Sequence, residues 1–120
     1  MARNPLMSDA SALSDVLDAL GDPDCRTIIG HLEKPRSATE LSGVCEIPLS
    51  TMYRKLELLS DASLLKEHTR INTDGQHTIL YAIAFDAVRF DLDEKQSVSV
   101  AITRRREIPE RRELASESTT

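Results

Sequence analysis

Tryptophan is absent from the chain, and two tyrosines and two phenylalanines bring the aromatic share to only 3%. With so few large rings, the core must be built from aliphatic side chains. Four glycines are too few for a glycine-rich phosphate cradle, and no Walker, Rossmann or GxSxG pattern occurs. The two cysteines, Cys25 and Cys45, form no CxxC or CxC pair, and His31, His68 and His77 form no HxH or HExxH spacing. No cofactor and no metal are expected, and each thiol reads as a structural one. No spacing suggests a nucleophile and its base, so an enzyme is not expected. No apolar run approaches the roughly 20 residues of a membrane span. MARNPLMSDA lacks the apolar segment of a signal peptide. The expectation is a soluble, cytoplasmic protein with no membrane partner.

The 120 residues are 40% apolar, enough for one small domain. Small cores of this kind are often completed by a partner subunit. Charge is unbalanced. Ten Asp and ten Glu face eleven Arg and only four Lys, for a net charge of −5. An acid-rich, Lys-poor surface suits a cell with molar internal salt, so a halophilic, haloarchaeal source is expected. The alternative is a mildly acidic protein from a GC-rich organism. In high salt the counterion-release contribution to DNA affinity shrinks, and hydrogen bonds and shape carry more of it.

The most informative stretch is SATELSGVCEIPLSTMYRKLELLSDASLL, residues 37–65. Ser37 and Glu40 have the spacing of a capping box, which opens a helix at Ala38 that runs to about Val44. Pro48 lacks an amide proton and pushes Ile47 out of helical geometry. A second helix then starts near Leu49 and runs to about Leu59. Met52, Leu56 and Leu59 recur at helical spacing, leaving Ser50, Thr51, Tyr53, Arg54 and Glu57 on the other sides. Two short helices joined by a tight turn, with hydroxyls and a guanidinium at the front of the second, are suited to a major groove. An ordinary helical hairpin with a solvated polar face would show the same pattern.

Upstream, Leu13, Val16, Leu17 and Leu20 predict an amphipathic helix over Ser11–Leu20, ended by Gly21. Asp22 caps the next helix, with Pro23 at its favoured first position. That helix turns Ile28, Ile29 and Leu32 inward and is expected to end at Lys34-Pro35. Arg36 then stands before the capping box, placed to meet a phosphate. Ser37 and Thr39, at the start of the following helix, are further candidates.

LDALGDPDCRTIIGHLEKPRSATELSGVCEIPLSTMYRKLELLSDASLLKE resembles the winged-helix domain of ArsR-like transcription regulators, over residues 11 to about 85 with the hairpin that follows. The motifs are LGDPDCRTII, SATELSGVCEIPLSTMYRKLELL and the passage into a wing after Leu64. The resemblance implies an α+β fold, a winged helix-turn-helix of three to four helices plus a β-hairpin wing, and a regulator that pairs through terminal elements. Two positions depart from the pattern. Cys25 replaces a basic or polar residue. Ser63 replaces the glycine of a left-handed turn, at a strain of about a kcal/mol or less.

After that turn the period changes. Leu65 to Ile71 alternate, Asn72-Thr73-Asp74-Gly75 carries the Asp-Gly hairpin signal, and Thr78 to Ile83 return. The wing thus spans about Leu65–Ile83, with Arg70, Gln76 and His77 near its tip. In a winged helix these face the minor groove or the backbone. A second hairpin follows over 86–103. Val88, Phe90 and Leu92 alternate with polar residues, as do Val98, Val100 and Ile102. An isolated hairpin is marginal in water, so it must join the wing, cover the first helix or meet another subunit. From Arg104 the chain is charged and aperiodic, as expected of a disordered tail; residues 1–10 read as a flexible terminus. Arg104-Arg105-Arg106 are placed to touch a DNA backbone if the tail is not simply solvated.

The expected function is sequence-specific regulation of transcription, acting as a repressor. A homodimer on double-stranded DNA places the Leu49–Leu59 helix in the major groove. The DNA-binding candidates are Arg36, Ser37, Thr39, Ser50, Thr51, Tyr53, Arg54, Arg70, Gln76 and His77. The pairing surface is expected on the first helix and the second hairpin, with Val16 and Val100 among its residues. Two alternatives stay open: a winged-helix adaptor that binds another protein of the transcription machinery, and a redox- or metal-responsive regulator using Cys25 and Cys45.

Overall fold

The computed structural model describes residues 10–104. The expected loose N-terminus lies outside them but for Ala10, and the expected tail but for Arg104. Among the described residues the order is α1 (Ala10–Leu20), α2 (Pro23–Gly30), β1 (Arg36–Ser37), α3 (Ala38–Cys45), α4 (Leu49–Asp61), β2 (Leu65–Ile71), β3 (His77–Ile83), β4 (Phe85–Leu92) and β5 (Val98–Arg104). This is a winged helix-turn-helix with an additional C-terminal β-hairpin.

The helices start and stop for local reasons. Asp22 caps α2, its carboxylate accepting from the backbone N–H groups of Asp24 and Cys25 at 2.8 and 3.1 Å. The capping box on α3 is complete. Glu40 N–H donates to Ser37 Oγ at 3.1 Å, and Ser37 N–H donates to Glu40 Oε1 at 3.0 Å. Helix α2 ends at Gly30 rather than at Lys34-Pro35. Glycine is a poor helix former, and the His31 and Leu32 amides turn back to the Ile28 and Ile29 carbonyls in a tighter, three-residue pattern. Leu32 is buried all the same, from the loop rather than the helix.

The turn between α3 and α4 is made by Glu46 in the left-handed conformation, φ 58°. Ser42 closes it from both sides. Its carbonyl accepts the Ile47 amide at 3.2 Å, and its hydroxyl donates to the Ile47 carbonyl at 2.6 Å. Ser63 ends the passage out of α4 at φ 63°, so the glycine-type turn exists without the glycine. Arg104 belongs to β5, where it stands opposite Phe85, and its guanidinium donates to the Ser63 carbonyl.

The core is aliphatic, as the shortage of rings requires. Ile28, Leu41, Met52, Leu56, Leu59 and Leu64 are fully buried, joined by Val16 and Cys25. Strands β2 and β3 pair antiparallel from Leu65 opposite Ile83 to Ile71 opposite His77, and Gly75 turns their tip at φ 87°. Strand β1, for which no sequence pattern was evident, adds a third member to this sheet by pairing with β3.

The second hairpin forms its own two-stranded sheet, and β5 lies against α1. It does not join the wing sheet, and its root covers the first helix. Phe90 stands opposite Val100 and Leu92 opposite Val98, so these four share one face of the hairpin. Near the root that face is interior: Val100 is 3% exposed, and Val88 and Ile102 pack on the core. Toward the tip Phe90, Leu92 and Val98 are 44, 61 and 50% exposed. Val16 is also interior, at 1%. Val16 and Val100 therefore belong to the subunit's own core and not to an outer pairing surface. On α1 the exposed apolar residue is Leu17.

Candidate nucleic-acid interface

The three buried residues of α4, Met52, Leu56 and Leu59, pin one side of that helix to the core. Ser50, Tyr53, Arg54 and Glu57 are consequently exposed, and Thr51 is half-buried. Pro48 holds the cap position of the helix, and its ring has no atom that can accept a hydrogen bond, so no side chain caps the first turn. Free N–H groups and hydroxyls at a helix start favour anionic oxygen.

The wing closes one side of this helix. An open groove of about 520 Å³ runs between the start of α3, α4 and the β2–β3 hairpin. Ser37 and Thr39 reach it from α3, Tyr53 from α4, and Arg70 and His77 from the wing, over a floor that includes Tyr81. Five of the ten residues singled out from the sequence thus converge on one concavity. Ser50, Thr51 and Arg54 share α4 with Tyr53 but do not line the groove. Gln76 sits in the wing turn, where its backbone N–H donates to Asp74 Oδ1 at 3.0 Å.

Arg36 is placed differently. Its Nε donates to the His31 carbonyl and its Nη2 to Glu33 Oε2, both at 2.7 Å, and its side chain is 17% exposed. The guanidinium is folded back over the α2–β1 loop and orders it. Its Nη1 takes no part in those two bonds.

Charge along the cleft changes sign. The groove next to the wing tip carries Arg70 and His77. Farther along α4, a second hollow is lined by Tyr53, Ser60 and Tyr81 with Glu57 and Glu67. Burial raises the Tyr81 phenol above its ordinary value, and the Glu67 carboxylate adds to this. The cation Arg70 thus lies beside the first groove, and the carboxylates of Glu57 and Glu67 lie beside the second.

Several features of the site had no sequence signal. Strand β1 is two residues long, too short to alternate, yet it ties the capping box to the wing. Tyr81 reads in sequence only as one residue of a return strand. Lys55 stands among the polar residues of α4 but turns inward, where its Nζ meets Asp22 Oδ2 at 2.6 Å.

The thiols sit apart from the groove. Cys25 is buried and its Sγ lies 3.7 Å from the Lys55 carbonyl. Burial pushes its thiol up to about 11, with the Asp22 carboxylate acting in the same direction. Cys45 Sγ lies 3.7 Å from His31 Nδ1, which also stands 3.0 Å from the Thr27 carbonyl. Burial raises the Cys45 thiol too. Among the described residues no group of three or more His, Cys, Asp or Glu is placed to hold a metal ion. No described helix is long and apolar enough to cross a membrane.

Comparison with known proteins bears on the fold. Residues 20–68 match a helix-turn-helix domain family. Among solved structures, an ArsR family transcriptional regulator is 23% identical at a TM-score of 0.51, over 60% of this chain and 75% of its own. NolR from Sinorhizobium fredii is 21% identical at a TM-score of 0.52, over 70% of this chain and 84% of its own. At such identities the likeness is one of fold. No curated protein matches the chain. The chain thus carries a helix-turn-helix domain in a winged-helix fold that it shares with these two structures.

Proposed function

We propose that the protein is a sequence-specific DNA-binding transcription regulator that acts in the cytoplasm as a homodimer on a two-fold operator. The observation that carries this reading is the convergence of Ser37, Thr39, Tyr53, Arg70 and His77 on one groove beside the exposed front of α4. In this reading residues 11–85 are the DNA-binding unit. Helix α4 enters the major groove, with Ser50, Thr51, Tyr53 and Arg54 toward bases and phosphates, and the wing lies beside the minor groove with Arg70, Gln76 and His77. Arg36 is a secondary candidate through its remaining Nη1. Repression by occupying the operator asks nothing of the protein beyond binding.

Residues 86–103 supply the pairing element. One recognition helix reads only a few base pairs, so useful specificity calls for two half-sites. The apolar overhang at Phe90, Leu92 and Val98, with Leu17 on α1, supports such pairing. The net charge of −5 and the scarcity of Lys fit a halophile's protein. Its melting temperature should then rise with KCl, as salt screens repulsion among carboxylates; a flat or falling one would reject that origin.

The function is tested by mobility shift, using duplexes selected by the protein from a random-sequence library. Arg54→Ala should weaken binding by about 1–3 kcal/mol if the guanidinium reads a base, with helicity unchanged. Unchanged affinity would remove Arg54 from the interface. The second reading, an adaptor for a basic protein partner, draws on the acidic hollow at Glu57 and Glu67. Failure of the wild-type protein to retain any duplex would favour it. A thiol-based sensor has less behind it, because burial raises both the Cys25 and Cys45 thiols and so disfavours the reactive thiolate.

A further inference from the structure

The first turn of α2 grips the middle of α4 at a single residue. Lys55 Nζ stands 2.6 Å from Asp22 Oδ2 and 3.9 Å from Asp24 Oδ2, with the lysine side chain 15% exposed and that of Asp22 19%. The same residue is held through its main chain, since its carbonyl lies 3.7 Å from Cys25 Sγ. The other oxygen of Asp22 is engaged as the cap of α2, accepting from the Asp24 and Cys25 amides. One carboxylate therefore joins the start of α2 to the side of α4.

Lys55 follows Arg54 in the sequence, so the two side chains leave the helix about 100° apart. Fixing the roll of α4 at Lys55 fixes the direction in which Arg54, Ser50 and Tyr53 point. The buried row Met52, Leu56 and Leu59 already pins one side of α4 to the core, and the Lys55–Asp22 pair adds a polar restraint beside that row. An ion pair under 3 Å, in a part-buried setting, is directional. We infer that Lys55 is a positioning residue for DNA binding: with Asp22 it holds the roll of the recognition helix, and it does not itself contact the nucleic acid. This rests on the reading of α4 as the recognition helix. It assigns a role to a cation that a count of basic residues on that helix would place on phosphate.

The test uses the full chain and a duplex selected from a random-sequence library by the wild-type protein. Two variants remove the clamp from opposite ends. Lys55→Met keeps the apolar stem and removes the charge. Asp22→Asn keeps a capping side chain of nearly equal quality and removes the carboxylate. Each should bind the duplex several-fold more weakly, and the double variant no more weakly than either alone. The slope of log affinity against log salt should stay at the wild-type value in both, since no phosphate contact is lost. Amide exchange in the first half of α4 should quicken in both.

If Lys55 contacts phosphate instead, Lys55→Met would lower the salt slope by about 0.9 while Asp22→Asn would not weaken binding. That result overturns the inference, as would additive losses or unchanged affinity in both variants. Should Lys55→Met fail to fold, Asp22→Asn alone decides, because it leaves the lysine in place. Failure of the wild-type protein to bind duplex rejects the DNA-binding reading; faster exchange in α4 would still report the clamp.

Discussion

Ser37 stands directly opposite Leu80 in the pairing of β1 with β3, while its hydroxyl caps α3. One residue therefore starts the helix-turn-helix and ties it to the wing. This is what holds Thr39, Arg70 and His77 around one groove although they come from separate elements.

Ser37→Ala should accordingly destabilise the fold by about 1 kcal/mol, the usual cost of losing a serine cap. Amide exchange should quicken in β3 around Leu80 as well as in the first turn of α3. Denaturant unfolding with exchange-rate mapping checks both. A loss confined to α3 would show that the cap and the wing are independent.

The Asp22–Lys55 pair gives a pH dependence of defined sign. The hydrogen bond from Lys55 holds the Asp22 carboxyl below its ordinary value near 3.8, against an opposing contribution from burial. A carboxyl lowered on folding stabilises the native state above its unfolded value, and that contribution is lost as pH falls through the folded value. Stability of the wild-type protein should therefore drop below about pH 4, and Asp22→Asn should remove part of that acid limb. Lys55 is raised by the same partner. Its contribution is complete below the ordinary lysine range and fades only at strongly alkaline pH. Urea unfolding at a series of pH values measures this. An acid limb identical in the two proteins would contradict the pairing.

The hairpin yields a prediction about assembly. If Phe90, Leu92 and Val98 meet a second copy, light scattering at micromolar protein in molar KCl should give about twice the 13.4 kDa chain mass. Leu92→Glu should return it to the monomer with the fold intact. Val16 and Val100 are poor choices for this experiment, because a charge there would strike the core. A monomeric wild-type protein would reject the paired operator.

Much of this was legible in the sequence, and the reasons differ by element. Helix starts were readable because caps act within three or four residues: Asp22 with Pro23, and Ser37 with Glu40. The recognition helix was readable because Met52, Leu56 and Leu59 hold its period over about two turns. The end of α2 was misplaced by four or five residues, because Leu32 continues the apolar row from a loop. The inward turn of Lys55 was invisible, since its partner lies 33 residues away and only packing brings it near. The fate of the second hairpin was open for the same reason. Alternation shows that a face is apolar but not which part of it meets α1. The groove itself was half legible: its residues were chosen singly, and the strand that brings them together is too short to leave a pattern.

In the proposed function, the front of α4 and the wing together form one DNA interface. Amide chemical-shift mapping on titration with a selected duplex tests it most directly. The expected result is a set of shifts concentrated at Ser37, Thr39, Ser50, Thr51, Tyr53, Arg54, Arg70 and His77, with Phe90, Leu92 and Val98 unmoved. Shifts centred on the β4–β5 hairpin or on Glu57 and Glu67, with the front of α4 silent, would contradict it.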